Sequence, residues 1–214
     1  FGPTANGVSG VATKVWVNGS GAQSITTHGG GRAGSLVMDN ALATLNPAGS
    51  GLFTFEGTVD LIDGVYNMGN LDHLITGTVR VSGGVFNGGS TGYLDMNTSF
   101  DQSGGVFTCT SDTTYLSNNF THSGGIFNHN GGTYWFDIGT GAYDVTGGLM
   151  DFNHVIISKA HGGINFTLTN DTIHVLGDFL WDASRIRQGE IVVDQGDVTF
   201  GSTANGVGGI ATKV

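Results

Sequence analysis

Apolar and polar residues alternate along this chain in short bursts, with little sign of a helical period. Val79 and Val81 flank Arg80, and Tyr134, Phe136 and Ile138 flank Trp135 and Asp137. Alternation of this kind marks a half-buried strand, with the first-named residues facing a core and those between them facing out. Segments 78–81, 134–138, 149–153, 165–169 and 190–194 are rich in β-branched and aromatic residues and bounded by Gly, Asn, Asp or Ser. They read as strands, and the predicted fold class is all-β.

The bursts recur. Ser82 opens SGGVFN, Ser103 opens SGGVFT and Ser123 opens SGGIFN, with IDGVYN from Ile62 before them and TGGLMD from Thr146 after them. The intervals are 20, 21, 20 and 23 residues. A period near 20 with glycine corners predicts a solenoid, in which each coil buries its face only against its neighbours. Leucine-rich repeats share the length, but their L-x-x-L-x-L spacing is absent. Two strands per coil, joined at corners where glycine permits positive φ, give a parallel β-helix of about 20 residues per coil. The general preference of parallel crossovers makes it right-handed.

Stacked coils bring equivalent positions into line. Tyr66, Phe86, Phe107, Phe127 and Met150 are then expected to form one internal ladder, with ring contacts adding about 0.5–1.5 kcal/mol per pair. Asn67, Asn87, Thr108, Asn128 and Asp151 follow one position later and stand outside, where amides can bond along the stack. Only 2 Pro occur, as expected where every coil is a central strand.

A second period is longer. Residues 1–15 read FGPTANGVSGVATKV and residues 200–214 read FGSTANGVGGIATKV, identical at 12 of 15 positions. The economical reading is a unit at residues 1–199, followed at residues 200–214 by the start of its next copy. Phe1 and Val15, with their counterparts Phe200 and Val214, bound the repeat junction. At about 20 residues per coil a unit holds roughly ten coils, an axial repeat of about 48 Å. Neither end reads as a cap, so the next unit is expected to cover each open end, either within one polypeptide, the preferred reading, or by stacking of separate chains.

Composition narrows the function. The 7 Lys+Arg against 17 Asp+Glu give a net charge of −10, which disfavours nucleic acid and anionic lipid. No apolar run approaches the roughly 20 residues of a spanning helix, so no membrane insertion is expected. The single Cys109 supports neither a disulfide framework nor the familiar zinc spacings and reads as a small core residue.

Parallel β-helices can carry carbohydrate chemistry, and one cluster invites that reading: Asp178, Asp182, Arg185, Arg187 and Glu190, close in sequence to Trp181. Acid, base and a sugar-stacking aromatic would lie together. A solvated turn with local ion pairs explains the same residues and is preferred. The histidines are scattered, with His154, Lys159 and His161 the densest group, and no H-E-x-x-H pattern occurs. Outward strand positions are the expected place for them, and no cofactor or metal is expected. The nine-residue calcium repeat is absent, and Thr pairs do not recur at coil spacing as an ice-binding face would require.

The SGGVFN phrases, the segment VNGSGAQSITT at residues 17–27 and the strand-turn texture over nearly the whole chain resemble the Gly/Asn/Thr-rich β-solenoid repeats of large secreted bacterial surface proteins. Filamentous haemagglutinin-like and autotransporter adhesins and the giant repeat proteins of gliding bacteria are the nearest groups. The resemblance implies a passive extracellular or cell-surface role as stalk, fibre or adhesive surface, and carries over no catalytic or binding residue. The expected function is a structural repeat unit of an extracellular fibre or surface adhesin, not an enzyme. Its partners would be copies of itself end to end, with a host surface or glycan beyond them. A carbohydrate-active β-helix enzyme, a polysaccharide lyase or hydrolase using residues 178–190, is the alternative.

Overall fold

A computed structural model describes residues 14–28, 30–137, 142–146, 149–158, 165–167, 172–182, 185–187 and 189–202. Among them every element is a β-strand, and all described strand pairs are parallel. Phe1 and Val214 lie outside the described residues. No helix among those residues is long and apolar enough to cross a membrane.

Each coil contributes three strands, not the two expected. The first face runs from Lys14–Val17 to Arg185–Arg187 as a nine-stranded sheet, and the third from Arg32–Ala33 to Val198–Phe200 as another. The second face is split into a six-stranded sheet, Gly21–His28 to Ile126–Asn128, and a three-stranded one of Leu149–Phe152, Thr172–Val175 and Glu190–Val193. The described turns are fewer than the ten expected, because several are longer than 20 residues. Ser35 lies over Lys14, but Val59 lies over Leu36 and Val145 over Phe120, advances of 21, 23 and 25 positions.

The interior forms because alternation on three faces points side chains at one axis. Val79 and Val81 are buried with Arg80 outside, and Tyr134 and Phe136 are buried with Trp135 and Asp137 half out. Tyr66, Phe86, Phe107 and Phe127 stand in register on the second face. Their successive ring centroids lie 5.1, 4.8 and 6.1 Å apart with interplanar angles of 16–25°. Phe100 and Phe120 stack likewise on the first face, 5.0 Å apart, and Phe100 meets Phe107 at 4.6 Å. The two columns therefore merge at the axis. Outside the second face the amide ladder is present: Asn87 Nδ2 donates to Asn67 Oδ1 and Asn67 Nδ2 to Asn46 Oδ1, at 2.8 and 2.7 Å.

Met150 does not extend the hydrogen-bonded ladder of Phe127. It pairs instead with Ile173 in the three-stranded sheet, and no ladder joins Ile126–Asn128 to Leu149–Phe152. The reason is a shorter corner. Phe120 precedes the SGGIFN motif by three residues, but Val145, which lies over Phe120, precedes TGGLMD by one. His122, Phe127, Met150 and Asp151 line a cavity of about 210 Å³ at this break. His122 Nε2 is buried there without a hydrogen-bond partner.

Candidate functional site

In a solenoid, side chains on one strand face the equivalents one turn away, so sites assemble from residues about 20 apart. The five residues of the candidate catalytic cluster are distributed accordingly. Asp178 and Asp182 border Phe179–Trp181 on the third face, Arg185 and Arg187 lie in a first-face strand, and Glu190 opens a second-face strand. Asp178 is drawn to another turn: its backbone N–H donates to His154 Nδ1 at 2.8 Å, while its Oδ1 accepts the Asp197 N–H at 3.0 Å. Among the described residues no group of three or more His, Cys, Asp or Glu is arranged to hold a metal ion. Lys159 and His161 lie outside the described residues.

Two of the four junction residues, Val15 and Phe200, lie in the outermost described turns. Val15 lies in Lys14–Val17 and pairs with Leu36. Phe200 lies in Val198–Phe200 over Trp181, in an inward column that includes Ile157 and Phe136. Those three are at most 6% exposed, whereas Phe200 is 58% exposed.

His73 departs from the outward strand positions expected of the histidines, whereas His174 keeps one but is bonded to two neighbouring turns. His73 is fully buried, because an inward position of the third face falls on it. Its Nδ1 lies 3.0 Å from the Leu71 carbonyl, which can only accept, so Nε2 takes the proton of Tyr66 Oη at 2.6 Å. Burial brings its pKa down to about 4 against the Leu71 hydrogen bond and the Asp72 charge. His174 stands outside, clamped between turns: Nδ1 lies 2.8 Å from Asp151 Oδ1 and Nε2 2.7 Å from Asp194 Oδ2. Donation to both carboxylates requires the imidazolium, and the hydrogen bonds to Asp151 and then Asp194 raise the His174 pKa.

The two act in opposite senses. The folded pKa of His73 lies below the unfolded value of 6.5, so unfolding takes up a proton between pH 6.5 and 4. Stability falls by about 3 kcal/mol as pH drops through that window. The stabilisation from His174 is fully present below its unfolded pKa and is lost as pH rises through its raised folded value. Urea midpoints measured from pH 7 to pH 4 are expected to fall, and the double variant Tyr66→Phe/His73→Leu should flatten that limb. If the limb keeps its depth in the double variant, His73 is not its source. Cys109 is buried as expected, and burial pushes its thiol up to about 12.

Sequence reasoning missed the most conspicuous outer feature. On the third face one outward column reads Asp95, Tyr115, Trp135, Ile156, Leu180, Thr199 in register. Four successive turns thus present an apolar side chain to the exterior, each half-exposed. Tyr115 and Trp135 rings lie 5.2 Å apart and Tyr93 meets Tyr115 edge-on at 6.0 Å. Trp135 Nε1 donates to Ser158 Oγ at 2.6 Å, which fixes the indole along the axis. Beside the column, Thr133, His154, Val155, Ile156, Asp178 and Leu180 line a shallow depression of about 340 Å³.

No protein-family model, no curated protein and no solved structure matches the chain. The solenoid therefore rests on its own geometry, and the haemagglutinin-like resemblance adds no residue to any site.

Proposed function

We propose that the chain is a repeat unit of an extracellular bacterial fibre or surface adhesin, whose 199-residue units continue end to end as one right-handed solenoid. The observation that carries this reading is the near-identity of residues 1–15 and 200–214, 199 positions apart, in a chain whose described strands stack turn on turn. Turns run first, second, third face in order. A sequence that returns to its opening after 199 residues would return to the same place in the stack, so copies of the unit would continue it without changing face.

The mechanism is mechanical. Backbone ladders run along the axis, aromatic and aliphatic columns fill it, and a polar, weakly charged exterior stays hydrated. Adhesion to a host surface is the use such a fibre would have, and no catalytic role is assigned to Asp178, Asp182, Arg185, Arg187 or Glu190.

Proteins of one, two and four concatenated units test this by electron microscopy. Straight rods are expected, each added unit lengthening them by about 43 Å, nine rises of about 4.8 Å. Separate beads on flexible connections would overturn it.

A further inference from the structure

We infer that the outward third-face column of Tyr115, Trp135, Ile156 and Leu180, with Thr133, His154 and Asp178 along its edge, binds a neutral polysaccharide chain lying parallel to the solenoid axis. The inference does not depend on whether units concatenate.

The column asks for a linear ligand. Its members recur once per turn, about 4.8 Å apart, in a straight line. Apolar rings and branched aliphatic groups in line suit a chain whose sugar faces are rich in C–H, stacking being worth about 0.5–1.5 kcal/mol per aromatic contact. The edge supplies orientation. Thr133 and His154 stand in register beside Trp135 and Ile156, one position before each along their strands' outward set. His154 Nδ1 already accepts the Asp178 N–H, so in the neutral ring the proton sits on Nε2, a fixed donor. Asp178, its carboxylate 65% exposed and its Oδ1 held by the Asp197 N–H, presents an acceptor alongside. A fixed donor and a fixed acceptor beside an apolar strip are what hydroxyl pairs require.

Other occupants fit less well. A peptide adding itself as a strand needs an unpaired sheet edge, but here the third face is continuous from Arg32–Ala33 to Val198–Phe200. A protein interface needs about 800 Å² from each partner, more than a strip one residue wide and four long provides. An anionic polymer meets no Lys or Arg at Tyr115, Trp135, Ile156, Leu180 or the edge residues beside them; Arg32, in the same column four turns before Tyr115, is paired with Glu56. Instead it meets Asp95, Asp137 and Asp178. The field at the Tyr93 end is negative as well: burial first, then the Asp72 and Asp95 charges, push that phenol up.

Native affinity electrophoresis of the 214-residue chain tests the inference, in gels holding hydroxyethylcellulose, laminarin or galactomannan as neutral probes and polygalacturonate as the anionic one. At least one neutral glycan should retard the wild type. Trp135→Ala should bind it about tenfold more weakly, the value of roughly one good contact, while Val106→Thr on the second face stays as wild type. Thermal melts followed by circular dichroism check folding; if Trp135→Ala melts early, Ile156→Thr carries the comparison and should also weaken binding. Retardation by no neutral glycan, retardation only by polygalacturonate, or retardation of both stripe variants equal to that of the wild type overturns the inference. So does self-association in sedimentation that Trp135→Ala abolishes, which would make the stripe an interface between copies.

Discussion

Replacing Gly105 by alanine is expected to cost at least about 3 kcal/mol, more than any exposed substitution in the chain. Gly105 is the second glycine of SGGVFT and has φ of +63°, a conformation that L side chains rarely adopt. Strain alone at such a position costs about 1–2 kcal/mol. The remainder comes from stacking. A Cβ on Gly105 would collide with the Gly83 carbonyl oxygen and lie 2.5 Å from that of Gly84, both on the preceding turn. The Gly84 carbonyl is engaged by the Val106 N–H at 2.9 Å, so it cannot withdraw without breaking the ladder. Gly131 is the natural control: its φ is +71°, but nothing lies within 4 Å of its Cβ position. Urea denaturation of Gly105→Ala and Gly131→Ala separates strain from close approach. Equal losses in the two variants would show that turn-on-turn contact contributes nothing at this corner.

The same corner explains which parts of the structure were legible in the chain. Glycines at Gly64, Gly84, Gly105 and Gly125 all have positive φ, so backbone geometry writes itself into the sequence once per turn and the period can be read. The third strand of each turn leaves no such mark. His73–Ile75, Leu94–Met96 and Thr113–Leu116 share a register but no phrase, because one inward position accepts His73, Leu94 and Thr114 in turn and an outward one need only tolerate water. Two strands per turn were therefore expected where three occur.

Distance along the chain misled in a related way. Asp178, Asp182, Arg185, Arg187 and Glu190 span thirteen residues, and thirteen residues carry the chain around most of a turn and across three faces. Neighbours in space are a turn apart, as Asp151, His174 and Asp194 are, or Tyr115, Trp135, Ile156 and Leu180. Each of those sets becomes visible only after the register is known. Met150 shows the limit of the motif itself. Its TGGLMD phrase keeps the glycine pair of the others, but two residues fewer separate it from its first-face strand, and Met150 falls outside the ladder of Phe127.

Phe107→Ala is expected to destabilise the solenoid by about 3–5 kcal/mol, the usual cost of removing a fully buried ring. Phe107 is 0% exposed and sits where two columns meet, with ring centroids 4.8 Å from Phe86, 4.6 Å from Phe100 and 6.1 Å from Phe127. Truncation would leave a void walled by rings that neighbouring ladders hold in place, so collapse around it is restricted. The loss has a location as well as a size. Stability in a stacked array is close to a sum over turns and their interfaces, so a weakened interface in mid-stack lets the two sides unfold separately. Hydrogen exchange should show protection falling most between Val85–Asn87 and Ile126–Asn128, with a lower denaturant slope than wild type as cooperativity breaks. Phe127→Ala supplies the comparison. Phe127 is only half-buried and borders the break in the second face, so its cost should be less than half as large. If the two variants lose the same stability, the column does not act as a continuous core, and the reading of the interior as one merged stack of rings fails.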